Sequence, residues 1–175
     1  MTLGRFLGNY IVGINGDAAS FSKLNEAAAG FADIIKNSEH VKFAFAASAD
    51  KLAIIDSKGN PYTLAEQHAA GAAGRDSSLR LWVYVLRPSE CCTDVPASKF
   101  QGVSWLGGLL RDFVGLGVKA DLGTEAGHEF GHASYKMGIG RGSKGGPANS
   151  NDAALKLENA VRKVRDPNAP VRTVH

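Results

Sequence analysis

Residues Thr124–Met137 read TEAGHEFGHASYKM, and this stretch decides how the rest of the chain is read. It contains an HExxH motif: His128, Glu129 and His132. Residues four apart on a helix share a face, with Cβ atoms about 5–6 Å apart. Two imidazoles placed that way can reach one zinc ion at roughly 2.0–2.1 Å. Glu129 then sits beside the metal and can take a proton from water there. Glu125, His128, His132 and Tyr135 fall on one helical stripe. Ala126, Phe130, Ala133 and Met137 fall on another, which reads as the core face. Gly131 lowers helix propensity by about 1 kcal/mol relative to Ala. A glycine there predicts close approach of another backbone, with a sheet edge as the expected neighbour.

Downstream, Gly138 to Pro147 is a Gly-rich loop, expected to be mobile and to gate a cleft beside the metal. Within it, Gly140–Gly145 formally matches GxGxxG. That match follows a helix rather than a strand, which argues against a dinucleotide site. A second helix is expected from about Asn151 to Arg165, with Ala154, Leu157, Val161 and Val164 on its apolar face. Glu158 lies at the edge of that face. A carboxylate there is costly unless it is paired or bound to metal. Catalytic zinc usually takes three protein ligands and leaves one position open, and Glu158 is the leading candidate for the third. An i,i+4 ion pair with Arg162 competes as its explanation. Glu125 and Asp152 are weaker candidates; Glu125 is awkwardly placed to close a tetrahedron one turn before His128. The tail, Arg172-Thr173-Val174-His175, offers two hydrogen-bond donors three residues apart. A frayed basic tail is the alternative.

Upstream, Ala-rich sequence from about Asp17 to Asn37 has Phe21, Leu24, Ala28, Phe31 and Ile35 at helical steps. Strand-like runs follow at Val41–Phe45 and Leu52–Ile55, with a turn at Ser57–Pro61. Leu79–Leu86 is the clearest strand, ended by Pro88. Pro88 to Gly117 reads as a mixed connection. Trp82, Tyr84 and Trp105 read as core or sheet-face aromatics. The expected architecture is α+β: a small mixed or antiparallel sheet packed on the motif helix, followed by a ligand helix, in one domain spanning 1–175.

Hydrophobic residues make up 44% of the 175, enough for a core of this size. The net charge of +3 is small and its Lys and Arg residues are scattered, so nucleic acid is not an expected partner. The only cysteines, Cys91 and Cys92, are adjacent and cannot staple distant parts of the fold. The N-terminal MTLGRFLGNYIVGINGD is too short and polar to span a membrane and makes a poor signal peptide. Neither a membrane nor a classical secretion route is expected.

The HEFGHA run, a Glu-Asn pair on the following helix and Arg-Thr near the end together resemble bacterial effector zinc metallopeptidases. These include NleD-like secreted proteases and the HExxH domains of Rhs-associated toxins and, more distantly, clostridial neurotoxin light chains. The resemblance covers roughly residues 121–175. It implies a zincin-like fold and a gluzincin-like site, with His128, His132 and Glu158 as zinc ligands and Glu129 as general base. It implies an oxyanion-stabilising role for Arg172. The companion position is typically Tyr in that family and is His175 here. The resemblance also implies a protein or peptide substrate and delivery from the producer's cytoplasm into a target cell without a signal peptide. For a toxin it further implies an immunity protein.

The expected function is therefore a zinc-dependent endopeptidase acting as an effector or toxin. Rival readings are a zinc hydrolase of cell-wall peptide, a non-enzymatic binding module, and a protease associated with DNA, against which the modest charge argues.

Overall fold

Both edges of the most apolar strand are paired, which places it inside a sheet rather than at its rim. The computed structural model describes residues 41–46, 54–56, 58–67, 69, 71–75, 81–86, 92, 94–101, 105–115 and 117–175. Their strands are β1 (Val41–Ala46), β2 (Ile54–Ile55), β3 (Pro61–Tyr62), β4 (Gly71–Arg75) and β5 (Leu81–Leu86). They form one mixed sheet in the order β1-β5-β4-β2-β3. β1 runs parallel to β5, from Val41 opposite Leu81 to Ala46 opposite Leu86. The β5–β4, β4–β2 and β2–β3 pairings are antiparallel. Val83, Tyr84 and Val85 are all buried, as a strand covered on both faces requires.

The strands expected from Val41 and Leu79 are present, although residues 79 and 80 lie outside the described residues. So do the helix expected over Asp17–Asn37, the N-terminal segment and Cys91. Cys92 is disulfide-bonded. The turn after β2 forms around Asp56, whose Oδ1 accepts the backbone N–H groups of Lys58 at 2.8 Å and Asn60 at 2.9 Å. β4, GAAGR, was not foreseen. Gly and Ala are poor strand formers, and the strand exists because β5 supplies a ladder and a neighbour needs its small side chains.

Three α-helices are described: α1 (Trp105–Phe113), α2 (Leu122–Lys136) and α3 (Ser150–Arg165). α1 lies within the stretch read as a mixed connection and was not singled out there as a helix. Its Asp112 carboxylate accepts the Ala97 N–H at 2.5 Å and the Ser98 hydroxyl at 2.5 Å, tying it to a 3₁₀ turn at Ala97–Lys99. No helix among the described residues is long and apolar enough to cross a membrane.

α2 is closed at both ends by its own sequence. Asp121 and Thr124 form a capping box: the Asp121 carboxylate accepts the Thr124 N–H at 2.9 Å, and the Thr124 hydroxyl accepts the Asp121 N–H at 3.1 Å. At the far end the N–H of Ile139 donates to Ser134 O and that of Gly138 to Tyr135 O, both at 3.0 Å. This is a Schellman closure, and Gly138 supplies the left-handed residue it needs at φ 85°. α3 begins at Asn149, whose side chain caps the Asp152 N–H at 2.9 Å.

Three residues of the expected core stripe of α2, Ala126, Phe130 and Ala133, have no exposed surface, whereas Met137 at its end is only half-buried. Phe130 stacks on Phe43 of β1 with ring centroids 5.7 Å apart. Gly131 does meet another backbone, but that of α3 rather than a sheet edge. A Cβ there would lie 2.5 Å from both Ala153 O and Ala154 Cα. One turn earlier, a Cβ on Gly127 would lie 2.9 Å from Val161 Cγ2. These two glycines let α2 and α3 approach closely enough to share a site.

Candidate metal centre

Helical spacing brings His128 and His132 together, with ring centroids 4.9 Å apart. The third member of the cluster comes from the tail. His175 Nε2 lies 3.0 Å from His128 Nε2 and 3.2 Å from His132 Nε2. Among the described residues, these three histidines are the group able to hold a metal ion. Two ligands on a tetrahedral ion at roughly 2.0–2.1 Å are about 3.3–3.4 Å apart, close to the two separations from His175.

The donor chemistry fits as well. Ligating imidazoles must be neutral. Burial, and the positive charge that His128, His175 and Lys136 would place nearby, pull His132 down to about 3. Burial and the charges of His128, Arg172 and Lys99 also lower His175. The Nδ1 atoms of the two helical histidines face away from the cluster. His128 Nδ1 lies 2.8 Å from Glu158 Oε2, and His132 Nδ1 lies 2.8 Å from Ser150 Oγ. Each Nε2 is thereby left for a ligand.

The tail is held in register for this task. Asn159 clasps Arg172 on both sides of its backbone: its Oδ1 accepts the Arg172 N–H at 2.7 Å, and its Nδ2 donates to Arg172 O at 2.8 Å. Thr173 N–H donates to Lys99 O at 2.9 Å, and Gln101 N–H to Val171 O at 2.8 Å. A frayed tail would make none of these bonds.

The structure departs from the sequence expectation at three residues, Glu158, Arg172 and His175. Glu158, expected as the third ligand, lies behind His128 on its Nδ1 side. Both its oxygens are engaged there: Oε1 accepts from Arg162 Nη2 at 2.7 Å, and Oε2 from His128 and from Arg172 Nη1 at 3.0 Å. The competing i,i+4 pair with Arg162 is therefore present, and the third member of the cluster is His175. Arg172, expected to face an oxyanion, directs Nη1 to Glu158 and Nε to Val174 O at 3.0 Å. His175, expected as its companion donor, belongs to the imidazole cluster. The weaker ligand candidates fall outside the cluster too; Asp152 accepts the Ala148 N–H at 2.8 Å.

Glu129 is buried and lines the same open cleft, of about 860 Å³, as the three histidines. Burial and the neighbouring Glu125 carboxylate push its carboxyl well above the usual range. The Lys136 charge and the Ala73 N–H oppose that push. Lys136 Nζ also donates to Ala73 O, so α2 and β4 are joined at that residue. Gly71 gives the two carboxylates room: a Cβ there would lie 2.9 Å from Glu129 Cγ and 3.3 Å from Glu125 Oε1. Sequence reasoning missed Gly71, Lys136 and Ser150. A glycine inside a strand is the one local signal that could have pointed to such an approach. The loop expected to gate the cleft does not border it: no residue from 138 to 147 lines its wall. Glycines 138, 140, 142 and 145 there have positive φ and shape the connection between α2 and α3.

No family model matches the chain, and no curated protein or solved structure matches it.

Proposed function

We propose that this chain is a zinc-dependent peptidase with a zincin-like site. The observation that carries the reading is the convergence of three imidazole Nε2 atoms beside a buried glutamate in one open cleft. His128, His132 and His175 would hold the ion. Zinc in such a site supplies Lewis acidity and a water acidified toward a pKa of about 7.

The chain's own groups supply the proton transfers. Glu129, buried beside the cluster and held above the usual carboxylate range by that burial, accepts a proton from the attacking water at a carboxylate oxygen. It then delivers that proton to the leaving amine. The Ala73 N–H and the Lys136 charge favour the ionised form that accepts the proton. The cleft is open and large enough for several residues of an extended chain. The resemblance of residues 121–175 to bacterial effector and toxin peptidases supports delivery into a target cell, with an immunity protein in a producer that shares the target.

Elemental analysis and a substrate panel test this reading together. Wild type should carry about one zinc per chain and should cleave at least one member of a panel of folded proteins and cell-wall peptides. Cleavage confined to the cell-wall peptides would shift the substrate class. Glu129→Gln should keep the metal and lose hydrolysis. A Glu129→Gln protein as active as wild type would remove the base, and a reconstituted wild type without metal would sink the reading.

A further inference from the structure

We propose that Glu158 is a positioning residue that organises two of the three histidine ligands from behind. This rests on the metal-centre reading above. Glu158 sits on α3 and is 2% exposed. Its Oε2 meets His128 of α2 at 2.8 Å and Arg172 of the tail at 3.0 Å. Its Oε1 accepts Arg162 Nε at 3.1 Å and Nη2 at 2.7 Å. Arg162 is itself buried, donates Nη1 to Lys119 O at 3.3 Å, and lies over the Phe100 ring at 5.0 Å.

Two guanidiniums would already satisfy a buried carboxylate, so Glu158 does not need the imidazole. The imidazole needs Glu158. A neutral ring can carry its proton on either nitrogen, and only one choice leaves Nε2 free. A carboxylate accepts and cannot donate, so it holds the proton on Nδ1 and turns the Nε2 lone pair into the cluster. His132 has no such constraint, because its Nδ1 partner is the Ser150 hydroxyl, which can donate or accept. The second contact extends the effect to the tail. Arg172 precedes His175 by three residues, and its bond to Glu158 helps set where the third ligand arrives. One carboxylate on α3 thus ties α2 to the tail.

The test is zinc affinity by competition with a chromophoric chelator, with folding of each apoprotein checked by circular dichroism. Glu158→Gln should weaken zinc binding by about 10–100-fold. Ser150→Ala should weaken it less. Arg172→Gln leaves the His128 contact in place and should give an intermediate loss; it serves if Glu158→Gln does not fold. Cobalt(II) substitution adds a readout that separates positioning from ligation. The absorption bands of cobalt-loaded Glu158→Gln should match wild type, because the three nitrogens remain. Changed bands would make Glu158 a ligand and overturn the proposal. Unchanged zinc affinity in both Glu158→Gln and Arg172→Gln would overturn it alone. A wild type that binds neither zinc nor cobalt would overturn it together with the reading beneath it.

Discussion

Helices α1 and α2 both carry strong apolar patterns, yet they use them in opposite ways. α2 buries Ala126, Phe130 and Ala133 completely and presents its polar stripe to a cleft. α1 leaves Leu106, Leu109, Leu110 and Phe113 exposed, at 52% to 88%. The difference lies in what each meets. α2 is gripped by β4 and β5 on one side and by α3 on another, with glycines at the tightest contact. α1 is tied through Asp112 to a short 3₁₀ turn. Whether the apolar face of a helix is buried depends on partners that its own pattern does not name.

The largest expected effect is metal removal, which should divide the two helices. Metal that binds only the folded state stabilises it by about 4 kcal/mol at a free concentration of roughly a thousand times Kd. Its ligands join α2 to the tail and do not involve α1. Chelation should therefore lower the melting temperature and release backbone protection in α2 and at residues 171–175, while exchange in α1 changes little. Equal loosening of α1 would erase the distinction drawn here.

Next comes Gly131→Ala. The new methyl would meet backbone atoms of Ala153 and Ala154 at 2.5 Å, and backbone cannot rotate away. Overpacking of this kind costs about 1–3 kcal/mol, against a helix-propensity gain of about 1 kcal/mol. Denaturant unfolding should show a net loss. Gly127→Ala should cost less, because its nearest contact is the methyl of Val161, a side chain that can shift. If the two variants prove equally stable, the close approach at Gly131 is not what sets the helix spacing.

How far the sequence reached follows the same division. The motif helix, most of its core stripe and the helix after it were legible because periodicity and ligand spacing are local properties. Close backbone approach at Gly131 was legible, but its partner was not, since a missing side chain does not say what fills the space. Glu158 was singled out correctly as a carboxylate needing a partner on an apolar face. Its partners are His128, Arg162 and Arg172, and choosing them over a metal requires knowing on which side of the His128 ring Glu158 lies. The place of His175 in the cluster could not be read from spacing, because the Asn159 clasp and the pairing with residues 99–101 bring it there. β4 was invisible because Gly71 is chosen for the space it leaves to Glu129, not for strand propensity.

A smaller effect separates the helices by acidity. The Ser98 hydroxyl first, and the backbone N–H groups of Ala97 and Ser98, hold Asp112 below its usual 3.8 against the opposing effect of burial. A carboxylate lowered in the folded state contributes stability that is present above its unfolded pKa and is lost as pH falls through the folded value. The attachment of α1 should therefore weaken below about pH 3.8, and exchange in α1 and at Ala97–Lys99 should rise there. Asp112→Asn should remove that step. If acid sensitivity in α1 persists unchanged in the variant, another group governs it.

The smallest effect is the sharpest check on α1. Phe113 is 88% exposed, so replacing it with serine removes almost no buried apolar surface. Surface substitutions away from caps and buried contacts usually fall within about 0.5 kcal/mol, and Phe113→Ser should do so. Phe130→Ser is the matched control on α2. It removes a ring with no exposed surface that stacks on Phe43, and leaves a cavity and a buried hydroxyl. A loss of several kcal/mol is expected there, as for other large core truncations, about 3–5 kcal/mol. A Phe113→Ser protein destabilised on that scale would mean that the α1 stripe is covered in solution, and the contrast between the two helices would then lie in which partner covers each rather than in whether one does.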